Sequence, residues 1–182
     1  MDFEVSSLNV AAFGKTLAAL GQKDAVWARL SPELRRIYDA PHSVKWHPGQ
    51  VGLEGWLAVV AVGGEALLEE LNCRMTASSF GPIVRPLVRT ILIISGSSPA
   101  GVFKRMGQAV SVALRHVTFD WKPQGDHGGA FVVTYPRPMP PEVVGPGWKG
   151  VFRVGSDLTG KDIIVDAFTP ESDRSFRFDV HW

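Results

Sequence analysis

Five histidines, one cysteine and eighteen Asp plus Glu carry whatever metal or acid–base chemistry this 182-residue chain can perform. His42 and His47 lie in His42-Ser43-Val44-Lys45-Trp46-His47-Pro48-Gly49. Neutral imidazoles are common metal ligands. No Asp, Glu or Cys stands between or beside this pair, however, and a tetrahedral site needs further donors. The expected role is loop hydrogen bonding, with Trp46 plugging the loop onto the core, and no metal ligand is assigned. Asp126-His127 sits among Gly125, Gly128 and Gly129. A base beside an orienting carboxylate is the grammar of acid–base catalysis, but side chains of adjacent residues usually diverge and the glycines are explained by turn geometry. Ser95-Gly96-Ser97-Ser98 lacks the Gly-x-Ser-x-Gly form, and no phosphate loop or dinucleotide fingerprint occurs. No catalytic residue is therefore assigned. A hydrolytic or redox enzyme using His127 or His116 with Asp120 or Asp126 remains the alternative, and it requires two of those groups to converge in one cleft. Cys73, placed just past a helix, reads as a small buried apolar residue.

Charge is distributed less evenly than its total of +1 suggests. Between Leu71 and Phe119 there is no Asp or Glu, while Arg74, Arg85, Arg89, Lys104, Arg105 and Arg115 contribute six cations. Arg85 and Arg89, four apart on a helix near Lys104 and Arg105, would make a basic patch for a carboxylate, a phosphate or an acidic partner. The competing expectation is that these groups pair with Glu65, Glu69 and Glu70 or face water. Nucleic acid is not an expected partner, because the chain has no basic excess and no base-stacking motif. Pro136-Arg137-Pro138-Met139-Pro140-Pro141 has Pro-x-x-Pro spacing, but between two strands it reads as a stiff crossover.

The elements that must position these groups follow from periodicity. Val5, Leu8, Ala12, Phe13, Leu17 and Leu20 predict a helix over 5–20, stopped at Gly21. Ser31-Pro32-Glu33 opens a second helix that carries Leu34, Ile37 and Tyr38 and ends at Pro41. An irregular stretch over 42–49 leads to an apolar segment, Val51 to Leu71, kinked or broken at Gly63-Gly64. Pro82 opens a helix bearing Ile83 to Leu92, and Ser98-Pro99 opens another whose stripe runs from Val102 to Leu114. The period then changes to that of strands, with a hairpin of 117–121 and 130–135. Prolines forbid regular helix until about Trp148, a short helix ends at Gly160, and two further strands cover 163–168 and 175–182. In the last, Phe176, Phe178, Val180 and Trp182 alternate with Arg177, Asp179 and His181, giving one buried and one wet face. The expected fold class is α+β: an N-terminal helical layer (about 1–116) packed on a C-terminal antiparallel strand-strand-helix-strand-strand module (about 117–182), in one domain. With 45% apolar and 20% charged residues, a chain of this size can hide about 70% of its unfolded surface without a disulfide or metal staple.

The Ser98-Pro99 helix start, the hairpin around Phe119 and Phe131, the 150–160 connection and the closing Phe176-Arg177-Phe178-Asp179-Val180-His181-Trp182 together resemble a myxobacteria-restricted paralogous family of unknown function. That family is similar in layout to the 4-vinyl-reductase-type and haem-NO-binding superfamily of sensor domains. The resemblance implies a non-enzymatic small-molecule-sensing or protein-interaction domain. Haem-binding relatives carry Tyr-x-Ser-x-Arg and a proximal His; neither Tyr38 nor Tyr135 begins that motif here, so no cofactor is carried over. The expected site is an apolar pocket or interface lined by Trp56, Val60, Phe103 and Met106, with Arg85 and Arg89 as polar anchors. Its expected occupant is an apolar or anionic small molecule, a second copy or a protein partner. The acidic opening Met1-Asp2-Phe3-Glu4 is unlike a secretory signal, and the longest uncharged run, 90–103, is too short to span a bilayer. No membrane span and a cytoplasmic location are expected.

Overall fold

The computed structural model describes residues 2–40, 45–79 and 98–182. Along the chain run β1 (Glu4–Ser6), α1 (Ser7–Ala19), α2 (Lys23–Trp27), α3 (Pro32–Asp39), β2 (Trp46–Pro48), α4 (Gly49–Ser79), α5 (Pro99–Val110), β3 (Leu114–Arg115), β4 (Thr118–Pro123), β5 (Gly128–Thr134), α6 (Pro141–Thr159), β6 (Ile164–Pro170) and β7 (Ser175–His181). The α+β class holds, with helices first and an antiparallel sheet last. The helix expected at 82–92, with Arg85 and Arg89, lies outside the described residues.

Two sheets form. A small one, ordered β2-β1-β3, and a larger one, ordered β4-β5-β7-β6, are both antiparallel. The small sheet corrects three expectations. Val5 does not open the first helix but lies in β1, opposite His47 and Leu114. The stretch before Gly49 is partly strand, and the helix after Ser98 ends at Val110 so that Leu114 and Arg115 can pair with β1. Helical spacing in a short window cannot reveal a strand whose partners are about 40 and 110 residues away.

Capping behaves locally, as expected. The Ser31 and Ser98 hydroxyls accept from the Leu34 and Gly101 backbone N–H groups, each ahead of a first-turn proline. The expected kink in α4 falls at Gly64, whose φ of 69° and ψ of −168° are accessible to glycine alone. Cys73, expected beyond this helix, lies inside it. By length and composition alone, the Gly49–Ser78 stretch would also suit a bilayer-crossing helix. In this fold it packs against α1, α2 and α6.

Helix α6 departs most from expectation. It begins at Pro141 rather than after Trp148 and includes Pro146. Pro141 occupies the first helical position, where no N–H is needed. Pro146 removes one hydrogen bond in the second turn, and burial of Val143, Val144, Trp148 and Phe152 offsets that loss. At Gly150 a Cβ would collide with the backbone carbonyl of Glu69, so its bare backbone is what lets α6 cross α4 closely. The crossover before α6 is held down as anticipated: Met139 is buried and donates its N–H to Asp173 O at 2.8 Å.

Rings fill the core in two clusters. Phe13, Trp27 and Tyr38 lock α1–α3 together. Phe103, Phe131, Trp148, Phe152 and Phe178 join α5, α6 and the large sheet. Phe3 connects the halves, edge-on to Tyr135 at 5.5 Å and near Trp56 at 6.5 Å.

Candidate functional site

Two recesses of about 390 Å³ each open on the C-terminal half. The first lies between α5 and β4–β5 and is lined by Phe103, Lys104, Gly107, Thr118, Phe119, Trp121 and Phe131. Strand alternation puts Phe119 and Trp121 on one face of β4, and helical spacing puts Gly107 one turn beyond Phe103 on α5. Phe103 and Phe131 are fully buried and form the floor, while Phe119 and Trp121 are half-buried and form the wall. Trp121 stacks on Phe103 at 4.7 Å, and Phe119 meets Trp148 edge-on at 5.2 Å. Lys104 is the one charged group in the lining among the described residues.

The second recess, at the end of the large sheet, is lined by Gln124, Asp126, His127, Gly128, Gly129, Asp166, Asp179, Val180 and His181. The register of β6 slips between Val165 and Ala167, leaving Asp166 as the extra residue of a bulge. Its carboxylate lies 2.5 Å from His181 Nδ1. Asp179 is engaged by Arg177, whose Nη2 is 2.7 Å away. Of the four groups named for acid–base chemistry, Asp126 and His127 share this recess. His116 lies elsewhere, 3.8 Å from Glu4, with a left-handed φ of 62°, and Asp120 pairs with Lys122 at 3.4 Å. His181–Asp166 is the pair that sequence reasoning missed. The wet face of β7 signalled His181, but nothing local signals which residue of β6 a bulge will turn towards it. Among the described residues no Ser, Cys or Thr lines this recess.

Of the residues expected to form a pocket, Phe103 lines the aromatic recess, and Met106, on the same helix, is buried in the core. Trp56 and Val60 lie on α4, half-buried, with Trp56 against Phe3. Arg85 and Arg89 lie outside the described residues. Among the other cations of that stretch, Arg74 pairs with Glu70 at 2.6 Å, and Arg115 lies 3.9 Å over the Trp46 ring. Glu70 titrates low because Arg74 donates to it, with Arg153 assisting against partial burial. Half-buried Cys73 has its thiol pushed up, chiefly by burial, which disfavours the reactive thiolate. His47 lies 3.1 Å from the Ser7 hydroxyl through Nε2, consistent with loop hydrogen bonding. No three His, Cys, Asp or Glu side chains cluster as a metal site among the described residues.

The fold matches solved H-NOX domains. The Fe(II) unliganded H-NOX protein from K. algicida superposes with a TM-score of 0.69 at 9% identity, covering 97% of this chain and 95% of that one. A mutant structure of the T. Tengcongensis H-NOX gives 0.63 at 12%, covering 94% of each. An oxygen-binding H-NOX domain related to soluble guanylate cyclases gives 0.61 at 11%, covering 94% and 90%. No family model and no curated protein matches the sequence. The shared property is the fold, an H-NOX-like α+β arrangement.

Further matched structures concern haem redox potential and haem distortion, and the described residues of this chain do not fit a haem. The aromatic recess presents no imidazole, thiolate or phenolate. Tyr135 is buried, with its hydroxyl accepting from Trp148 Nε1 at 3.2 Å, and Tyr38 donates to Val51 O at 2.8 Å. His47, His116, His127 and His181 all lie outside the buried core.

Proposed function

We propose that this chain is a haem-independent, non-enzymatic sensing domain: an H-NOX-like fold that binds an apolar or anionic small molecule in the recess between α5 and the β4–β5 hairpin. Cytoplasmic residence and signal output through a protein partner belong to the same reading. The observation that carries it is the recess itself, about 390 Å³ walled by half-buried Phe119 and Trp121 over a floor of buried Phe103 and Phe131. Small-molecule sites of this kind are mostly apolar, with a few polar anchors. Output through a partner is supported by Leu8 and Val112, largely exposed apolar residues near where Ser6 and Ala113 join β1 to the segment before β3. The test is native mass spectrometry of the protein purified from its own cells, beside a Trp121→Ala variant that removes one wall of the recess. A small-molecule adduct on the natural chain that the variant lacks is the expected result. An adduct retained equally by both, or none on either, overturns the assignment of this recess.

A further inference from the structure

We infer that the aromatic recess selects a flat aromatic carboxylate, an inference that rests on the ligand-binding reading above and narrows it to one chemical class. Flatness follows from the walls. Phe119 and Trp121 project from the same face of β4, and their rings are braced from behind by Trp148 and Phe103, at 5.2 Å and 4.7 Å. Braced rings present fixed π faces, and stacked or edge-on arene contacts contribute beyond area burial alone. Gly107 keeps the opening clear, since the residue one turn after Phe103 adds no side chain over the floor. Helix and strand are close there, a Cβ at Gly107 lying 3.2 Å from that of Phe119.

The charge of the ligand follows from the rim. An aromatic cage often takes a cation, and a cationic ligand would need a carboxylate, which the described residues of the lining do not supply. Lys104 stands at its mouth, and no ion pair to Lys104 occurs among the described residues. Asp120, the nearest acidic residue in sequence, belongs to the opposite face of β4 and is engaged by Lys122. Exposed Arg105 follows Lys104 on α5, and the stretch from Leu71 to Phe119 holds no acidic residue. A ring system that stacks on Phe119 and Trp121 and turns its carboxylate outward to Lys104 matches both the rings and the cation of the lining.

The test is isothermal titration of the full chain with 2-naphthoate, its neutral counterpart 2-naphthamide, a naphthyl quaternary ammonium and decanoate. Naphthoate is expected to bind most tightly, and added salt is expected to weaken naphthoate alone. Lys104→Gln, at an exposed position where folding is undisturbed, should weaken naphthoate about two- to fivefold, as befits a solvent-exposed ion pair. The same variant should leave the amide unchanged. Trp121→Ala, which removes one wall of the recess, should weaken both. Equal binding of acid and amide, or tighter binding of the ammonium or of decanoate, overturns the ligand class while leaving the recess as a site. Binding of no probe, or binding indifferent to Trp121→Ala, overturns the site and with it the sensing reading.

Discussion

The two recesses have equal volume and opposite construction. Beneath α5 the lining is rings on rings: Phe103 alone touches Trp121, Phe131, Phe152 and Trp182 at centroid distances of 4.7–6.1 Å. At the sheet end the lining is dominated by charged and polar side chains whose partners lie at the surface, His181 meeting Asp166 within the recess and Asp179 held by Arg177 from outside it. A surface whose back is a close-packed core holds its shape when empty, whereas exposed ion pairs trade readily for water and contribute little. The difference is why the proposal places a ligand in the apolar recess, although the polar one holds more of the residues that conventionally signal chemistry.

The comparison is tested hardest at Phe103. Phe103→Ala removes the floor of the aromatic recess and a ring shared by α5, α6 and three positions of the large sheet module. A loss of about 3–5 kcal/mol is expected, read as a fall in the urea midpoint with unchanged slope. A loss below about 1 kcal/mol would mean that α5 is loosely held, and the contrast between a rigid and a yielding recess would fail.

A second, smaller effect separates buried from exposed polar groups through pH. Tyr135 is buried between the helices and the sheet, and desolvation pushes its phenol up to about 12, with the hydrogen bond from Trp148 opposing. Tyr38 is raised as well, first by burial and then by the nearby Glu54 carboxylate. A raised folded value means that the native state holds the proton more tightly than the unfolded chain. The associated stability is complete below about pH 10 and is lost as the pH rises towards about 12. The drop attributable to Tyr135 is on the order of 2 kcal/mol. Tyr135→Phe should flatten that alkaline decline in denaturant titrations between pH 9 and 11. An unchanged decline would show that the phenol ionises without unfolding, and so that water reaches it.

What is legible in the sequence follows the range of the interactions. Ser31 and Ser98 announce their helices because a cap and its N–H partners lie within three residues. The hairpin, the alternating Phe176, Phe178 and Val180, and the Gly64 kink are equally readable from nearest-neighbour geometry. The small sheet is not, since Val5 in isolation fits a helical stripe and becomes a strand residue only when His47 and Leu114 arrive from far along the chain. Pro146 inside α6 misleads for the same reason: packing against α4 overrules a local rule about proline. The pocket is half legible. Phe103 is one of six residues expected around a pocket and lines the recess under α5, but Phe119 and Trp121 read only as hairpin residues, because alternation tells which side chains share a face and not what faces them. The His181–Asp166 pair depends on a bulge that no periodicity encodes.

The sheet end supplies the smallest expected effect and the sharpest control. His181 and Asp166 are about half exposed, at 47% and 51% of their side-chain surface. Their contact is therefore one that solvent can replace at little cost. His181→Ala and Asp166→Asn are each expected to change stability by less than about 1 kcal/mol at neutral pH, and the double variant by no more than the larger single effect, because the two residues lose the same interaction. Neither should alter naphthoate affinity, since the aromatic recess is lined by α5, β4 and Phe131 of β5, and shares no residue with the recess at the sheet end. A loss of several kcal/mol, or a coupled change in binding under α5, would show that the bulge at Asp166 is a structural lock. The sheet would then transmit strain between the two sites, and the division into a rigid recess and an incidental one would have to be redrawn.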